Sequence, residues 1–407
     1  MTLLQRTFRR WWQAPRKISE RVDHRTVSFL ELFYDLVYVV LIAEVAHALA
    51  GHVDLAGMGR FIFLFVIVWW AWLNGATYHD LHGNNDLRTR VFTFLQMIFV
   101  GSMAVYAHDA LGATSVGFAL AFAGFQLLFA YLWWRVGVYD PAHRPLSRPY
   151  VLGYLIATTL YVVSVWMPAS VRFSLWAVAL VLSLLLPFVS NLRERHNPQI
   201  QAQIDLAFTI SRSGVERFGL FTIIVLGEVI AGVIRGLQSV PQLDWPTGAT
   251  AILGMLLAVG IWWIYFDLIS GNRPRPGRGS AMAWLYLHLP LTLGITAIGA
   301  AVLNVTEHAG DPMPGEVRWL LVGSVVVVLV TIALLLRTIR SESDFQQLQQ
   351  VAGVILLMAA GVAGLLGLLD LVAIYLLCVL VAVMLVPIGI GLWLWMKTLD
   401  SGELSGQ

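Results

Sequence analysis

Glu31 and Asp35 lie four residues apart in the run Glu31-Leu32-Phe33-Tyr34-Asp35, which places two carboxylates on one face of a helix. Close carboxylates repel when both are ionised, so one of them holds its proton more tightly, and such a pair suits proton or cation exchange. The competing expectation is that Asp35 pairs with an arginine from a neighbouring helix and locks the two together. Further along the same helix, Glu44 and His47 stand at i and i+3. They lie near the outer end of the span, where an outer-rim cluster is the simpler expectation, and Glu44 is about half a turn out of phase with Asp35 and points away from it.

A second helix carries Glu216 and Arg217 near its start and Glu228 well inside it. Adjacent residues cannot face each other, so Glu216 and Arg217 point apart. Glu228 follows Gly227, whose missing side chain is expected to admit a neighbouring helix. Asp267 and His288 fall at similar depths on consecutive helices and are expected to meet, with Gln96 at the position in the first half that matches His288. Taken together, Glu31, Asp35, Glu228, Asp267, His288 and Gln96 are the candidate lining of an ion, proton or substrate pathway. Glu44, His47, Glu216 and Arg217 stand second to them.

His79 and His82, flanking Asp80, are the weak candidates for a metal site, since imidazoles at i and i+3 can share an ion. They lack a third ligand in sequence, and solvated helix-end residues are the simpler expectation. No P-loop, serine elbow, H-E-x-x-H or dinucleotide fingerprint is present. An ATP-driven pump or hydrolase is therefore disfavoured, no enzyme activity is expected, and no cofactor is implied.

The elements that hold these residues are membrane helices. Hydrophobic residues make up 58% of the 407 and charged residues 12%, with a mean hydropathy of +0.75, where a soluble domain carries roughly a quarter charged residues. A helix needs about 20 apolar residues to cross the bilayer. Twelve such runs are expected, at 27–49, 58–79, 90–108, 113–134, 150–168, 173–191, 214–234, 248–270, 281–303, 317–339, 348–369 and 371–396. The last two form a hairpin turning near Asp370.

Orientation follows from the basic residues, because 22 of the 26 Lys and Arg fall on one side of this arrangement and only Arg60, Arg172, Arg235 and Arg318 on the other. The rich side is cytoplasmic by the positive-inside rule. Both termini then lie in the cytoplasm, and the basic residues are a topological signal with no nucleic-acid partner implied. The lone Cys378 sits in an apolar run, which leaves no disulfide framework.

Four anchors recur in order along the chain: Trp69-Trp70 with Trp262-Trp263, Gln96 with His288, Arg135 with Arg337, and Pro187 with Pro387. The expected fold is an all-α polytopic bundle of two parallel six-helix repeats. Residues 1–26 form a basic arm, 27–191 the first repeat, 192–213 a linker, 214–397 the second repeat and 398–407 a tail. The bilayer is one partner and a small solute or cation another; monomer and homodimer both remain open.

The strings Glu31-Leu32-Phe33-Tyr34-Asp35 and Glu216-Arg217-Phe218-Gly219, the latter continuing to Gly227-Glu228, resemble the bacterial low temperature requirement A (LtrA) family. Leu95-Gln96-Met97, Trp262-Trp263-Ile264-Tyr265-Phe266-Asp267 and Tyr286-Leu287-His288-Leu289-Pro290 extend the resemblance to the ninth span. It implies a multi-spanning protein of the bacterial plasma (inner) membrane, named for a growth phenotype. The chain departs from that pattern at Ser213, where a His is frequent, and at Glu44, where an amide is common. A weaker similarity, of Phe33-Tyr34-Asp35 to the first-helix motif of lysosomal potassium channels with six-helix repeats, stops at the first half.

A proton- or cation-coupled transporter is the leading functional expectation. The alternatives are a cation channel, and a membrane sensor, lipid-binding scaffold or intramembrane enzyme, which the 12% aromatic content would suit.

Overall fold

The computed structural model describes residues 11–20, 25–193, 196–309, 313–340 and 343–404, the side chains of 187–193, 343–348 and 394–404 excepted. Of the 26 Lys and Arg, Arg6, Arg9, Arg10, Arg21 and Arg195 lie outside the described residues, as do residues 405–407 of the tail and the side chains of Pro187, Arg193 and Lys397.

Thirteen α-helices are present among them: α1 (Phe29–Ala50), α2 (Leu55–His82), α3 (Leu87–Ala107), α4 (Ser115–Tyr139), α5 (Arg144–Ser164), α6 (Ala169–Arg193), α7 (Pro198–Ala207), α8 (Arg212–Ser239), α9 (Trp245–Leu268), α10 (Arg278–Glu307), α11 (Gly315–Leu336), α12 (Ser343–Leu366) and α13 (Ala373–Leu404). All except α7 have 21 residues or more and follow the twelve expected spans in order. Ten are long and apolar enough to cross a membrane by length and composition. The two long helices outside that set are α1, with its three carboxylates, and α5, which opens on Arg144 and Arg148. The architecture is a polytopic all-α bundle, and the turn between α12 and α13 falls at 367–372, as the position of Asp370 required.

Helix α7 interrupts the expected linker. Asn197 caps it by accepting the Ile200 amide, Pro198 supplies a first residue that needs no hydrogen-bond partner, and Ile200 and Ile204 bury one face with Leu146. Asp86 and Asp244 cap α3 and α9 in the same way, through Thr89 and Thr247.

The chain divides into two compact units, Met1–Val45 with Phe63–Arg217, and Ala46–Ile62 with Phe218–Gln407. In the first unit, α3 packs on α4, α4 on α5 and α5 on α6; in the second, α10 packs on α11, α11 on α12 and α12 on α13, while α9 lies against α13. Within the second unit α8 and α10 approach at backbone contact. A Cβ placed on Gly232 would sit 2.2 Å from the Gly299 carbonyl oxygen, and one on Gly299 would sit 2.7 Å from that of Glu228. Gly227, the glycine expected to open this approach, faces open space instead. Five residues from Gly227 to Gly232 turn the helix by about 140°, so the two glycines face different surroundings.

Candidate functional site

On α1 the residues Glu31, Tyr34, Asp35 and Tyr38 recur at i, i+3, i+4 and i+7, and all four are buried. Phe29, Phe33, Leu36 and Val40 occupy the exposed side. The helix thus turns its ionisable stripe inward and its apolar stripe outward, the reverse of a water-soluble helix and the arrangement a lipid-facing helix requires.

Asp35, wholly buried, meets Arg217, the sixth residue of α8, within the first unit. Arg217 Nη2 donates to Asp35 Oδ1 at 2.8 Å, and its Nε lies 3.3 and 3.2 Å from the two carboxylate oxygens. The Trp72 indole N–H, from α2, donates to Oδ1 at 2.8 Å. Arg217 Nη1 is 3.7 Å from Glu31 Oε1, an ion pair without a hydrogen bond. Glu31 is held in turn by a two-pronged pair with Arg25, at 2.9 and 2.7 Å, and by the Ser28 amide and hydroxyl at 2.9 and 2.8 Å. Two guanidinium groups, Arg217 buried and Arg25 partly exposed, therefore balance the two buried carboxylates in charge, as a low-dielectric setting favours.

Aromatic and neutral polar groups close the cluster. The Arg217 guanidinium lies 5.3 Å from the Tyr34 ring centre, a cation–π arrangement. The Tyr34 and Tyr38 hydroxyls are 3.1 Å apart. The Tyr34 ring packs edge-on against His79 at 5.8 Å, and His79 Nε2 is 3.2 Å from the Thr93 hydroxyl of α3. Gly75 makes room for Tyr34, since a Cβ there would fall 1.9 Å from the tyrosine oxygen.

The first unit thus brings Glu31, Asp35 and Arg217 together and adds Arg25, Trp72, Tyr34 and His79, which sequence alone does not link to them. Of the two expectations for Asp35, pairing with an arginine of another helix is the arrangement present. Glu216 points away from Arg217, as adjacency required, and is exposed, with the Val27 amide 3.4 Å from its carboxylate. Gln96 is buried on α3, its Oε1 without a hydrogen-bond partner among the described residues. Glu44 is half-buried and His47 exposed.

His79 and His82 depart from the solvated helix-end reading, because both are buried. His82 Nδ1 is 2.9 Å from the Arg16 carbonyl oxygen, and its ring packs against Tyr78, Trp133 and His143. Asp80 between them accepts hydrogen bonds from the Ser211 and Ser213 hydroxyls at 2.6 and 3.0 Å. Among the described residues no group of three His, Cys, Asp or Glu side chains is arranged to hold a metal ion.

In the second unit Glu228 is buried on α8. His288, on α10, is 3.0 Å from the Tyr265 hydroxyl and 2.7 Å from the Trp284 carbonyl oxygen, with the Phe218 ring 4.7 Å away. The expected meeting of Asp267 with His288 does not occur. Tyr265 takes the place facing His288, and two further residues turn Asp267 by about 200° to an exposed position.

Fold and site together define a polytopic helical membrane protein with a charge-balanced ionic cluster in its interior. The family profile described as "Bacterial low temperature requirement A protein (LtrA)" matches residues 26–386, and the chain belongs to that family. It is 27% identical over 296 residues to "Uncharacterized protein RA0937" of Rhizobium meliloti (strain 1021), an alignment covering 69% of this chain and 70% of the relative. No solved structure gives a significant match.

Proposed function

We propose that the protein is a proton- or cation-coupled transporter of a small solute, acting in the bacterial plasma membrane with both termini cytoplasmic. The carrying observation is the Asp35–Arg217 pair, buried on α1 and α8, with Glu31 of α1 and the partly exposed Arg25 beside it. A buried ion pair contributes little net stability compared with apolar residues of the same shape, so stability alone is a weak reason to keep one. A pair that opens and closes is a better reason. When Asp35 takes up a proton, or a cation takes the place of Arg217, the guanidinium is released to Glu31 and the Tyr34 ring, both already in reach. Binding of an ion is thereby linked to rearrangement of two helices, the linkage a coupled transporter requires. Glu228 and His288 are the candidate pathway residues of the second unit, and the ordered anchors support two parallel repeats. No catalytic step is assigned.

The test is reconstitution in liposomes loaded with a pH-sensitive dye, challenged with sodium, potassium, sugars and amino acids in turn. Proton movement driven by one of these solutes, and lost in Asp35→Asn, is the expected result. Coupling that persists unchanged in both Asp35→Asn and Glu228→Gln, or no solute-driven movement above empty liposomes, would refute the reading. Unitary currents in a planar bilayer would instead assign a channel.

A further inference from the structure

A second charged cluster of the first unit lies where α2 ends, α3 begins and α4 ends, and unlike the first it does not balance. Arg88 and Arg135 are 2% and 3% exposed, and Tyr78 is 4% exposed. Arg88 Nη1, Arg135 Nη1 and the Tyr78 hydroxyl have no hydrogen-bond partner among the described residues. All three are in one neighbourhood: both arginine charges act on the Tyr78 hydroxyl, and they act on each other. Tyr78 packs against Phe129 and Trp133 of α4, ring centres 6.1 and 5.9 Å away, just before Arg135 on that helix.

Among the described residues, the carboxylate acting on this cluster is that of Asp86, and it is already committed. Its Oδ1 accepts from the Thr89 amide and hydroxyl at 3.1 and 2.6 Å, and its Oδ2 accepts from the Gln13 amide at 2.9 Å. Arg88 Nε approaches Oδ2 only to 3.8 Å. Arg135 spreads over the Tyr139 ring, 5.1 Å from its centre, which offers no negative charge. Among the described residues, two buried guanidinium groups and one carboxylate leave an excess positive charge with donors unused, a costly arrangement that a bound anion relieves.

We propose that Arg88, Arg135 and the Tyr78 hydroxyl form a buried phosphate-binding site at the membrane boundary of the first unit. Guanidinium N–H groups and a phenolic O–H are donors suited to the several acceptor oxygens of a phosphate. The exposed aromatics Tyr131 and Trp134 lie on the same end of α4, at the level where aromatic side chains meet lipid headgroups. The phosphate is therefore that of a lipid headgroup or a free anion of the same chemistry, and the site stands independently of the transport reading.

The experiment uses the full chain in lipid nanodiscs. In phosphatidylcholine discs, inorganic phosphate is titrated against chloride at constant ionic strength; in a second arm, phosphatidylglycerol replaces part of the lipid without added phosphate. A rise in the unfolding midpoint of about 5 °C in either arm is expected, with the responding arm identifying the source. Native mass spectrometry should show the matching bound species. Arg88→Gln and Arg135→Gln should each weaken binding by about tenfold, and Tyr78→Phe, which keeps the ring, by a few-fold. Should the arginine variants not fold, wild type and Tyr78→Phe decide the matter. No response of wild type in either arm, or binding unchanged in every variant that folds, overturns the proposal.

Discussion

Asp35 and Arg217 stand 182 positions apart in the chain and meet as a buried ion pair, with Nη2 2.8 Å from Oδ1. Neither partner is exposed by more than a few per cent, so removing one strands the other. Asp35→Leu alone should cost about 3–5 kcal/mol, and Arg217→Met alone a similar amount. The double variant should recover most of that loss, since an apolar pair of similar volume replaces a pair of little net worth. Denaturation of the three variants in detergent checks this, and the recovered double variant should transport without proton coupling. Stability and function would then be separated at one site.

Tyr34 links the ion pair to His79, and Gly75 gives it room. Gly75→Ala places a methyl group where the tyrosine oxygen lies, and Tyr34 is fully buried and has no free space to enter. A loss of about 1–3 kcal/mol is expected. Because the ring also covers Arg217, the same variant should shift the pH dependence of flux, which a stabilising substitution elsewhere would not repair.

The crossing of α8 and α10 rests on Gly232 and Gly299, where backbone meets backbone. Gly299→Leu should lower the unfolding midpoint sharply or prevent accumulation of folded protein. Gly227→Ala, one residue before Glu228 and facing open space, should be neutral or slightly stabilising, because alanine is the better helix former by about 1 kcal/mol. Thermal unfolding of the purified variants distinguishes the two glycines.

His143, in the turn before α5, is buried, and burial pushes its imidazole below the usual histidine range against the opposing hydrogen bond to Gln203. A histidine that resists protonation when folded favours the native state at high pH. As pH falls through the unfolded value of about 6.5, the unfolded chain takes up a proton that the folded chain does not, and stability declines. The difference in unfolding midpoint between wild type and His143→Gln should narrow as pH is lowered from 8 to about 5. A pH-independent difference would assign His143 a packing role only.

The helices were legible because crossing hydrocarbon demands a long apolar run, and no local alternative competes with that demand. The turn at Asp370 was legible for the same reason. Helix α7 was not, since ten residues with a modest apolar face, packed by Ile200 and Ile204, look like a linker. Site residues on one helix were readable from spacing alone, as the buried stripe of Glu31 and Asp35 illustrates. Their partners were not. Nothing local in Arg217 states that it reaches α1, and the choice of Tyr265 over Asp267 as the neighbour of His288 is set by the rotation of α9 against α10. The burial of His82 likewise depends on the 11–16 segment, whose Arg16 donates to the Asp80 and Leu81 carbonyl oxygens at the end of α2.

The length of chain between Asp35 and Arg217 also sets a time. At roughly 5–20 residues per second, the ribosome finishes Arg217 roughly 10–40 s after Asp35. Throughout that interval α1 has no Arg217 to offer its deepest carboxylate. A nascent α1 must therefore enter the bilayer with Asp35 protonated, or wait at its surface until α8 is made. On the second route, insertion of the first helix and completion of the seventh span become one event, and a chain truncated before Arg217 should fail to hold α1 stably in the membrane; on the first, the truncated chain should hold it only with Asp35 protonated.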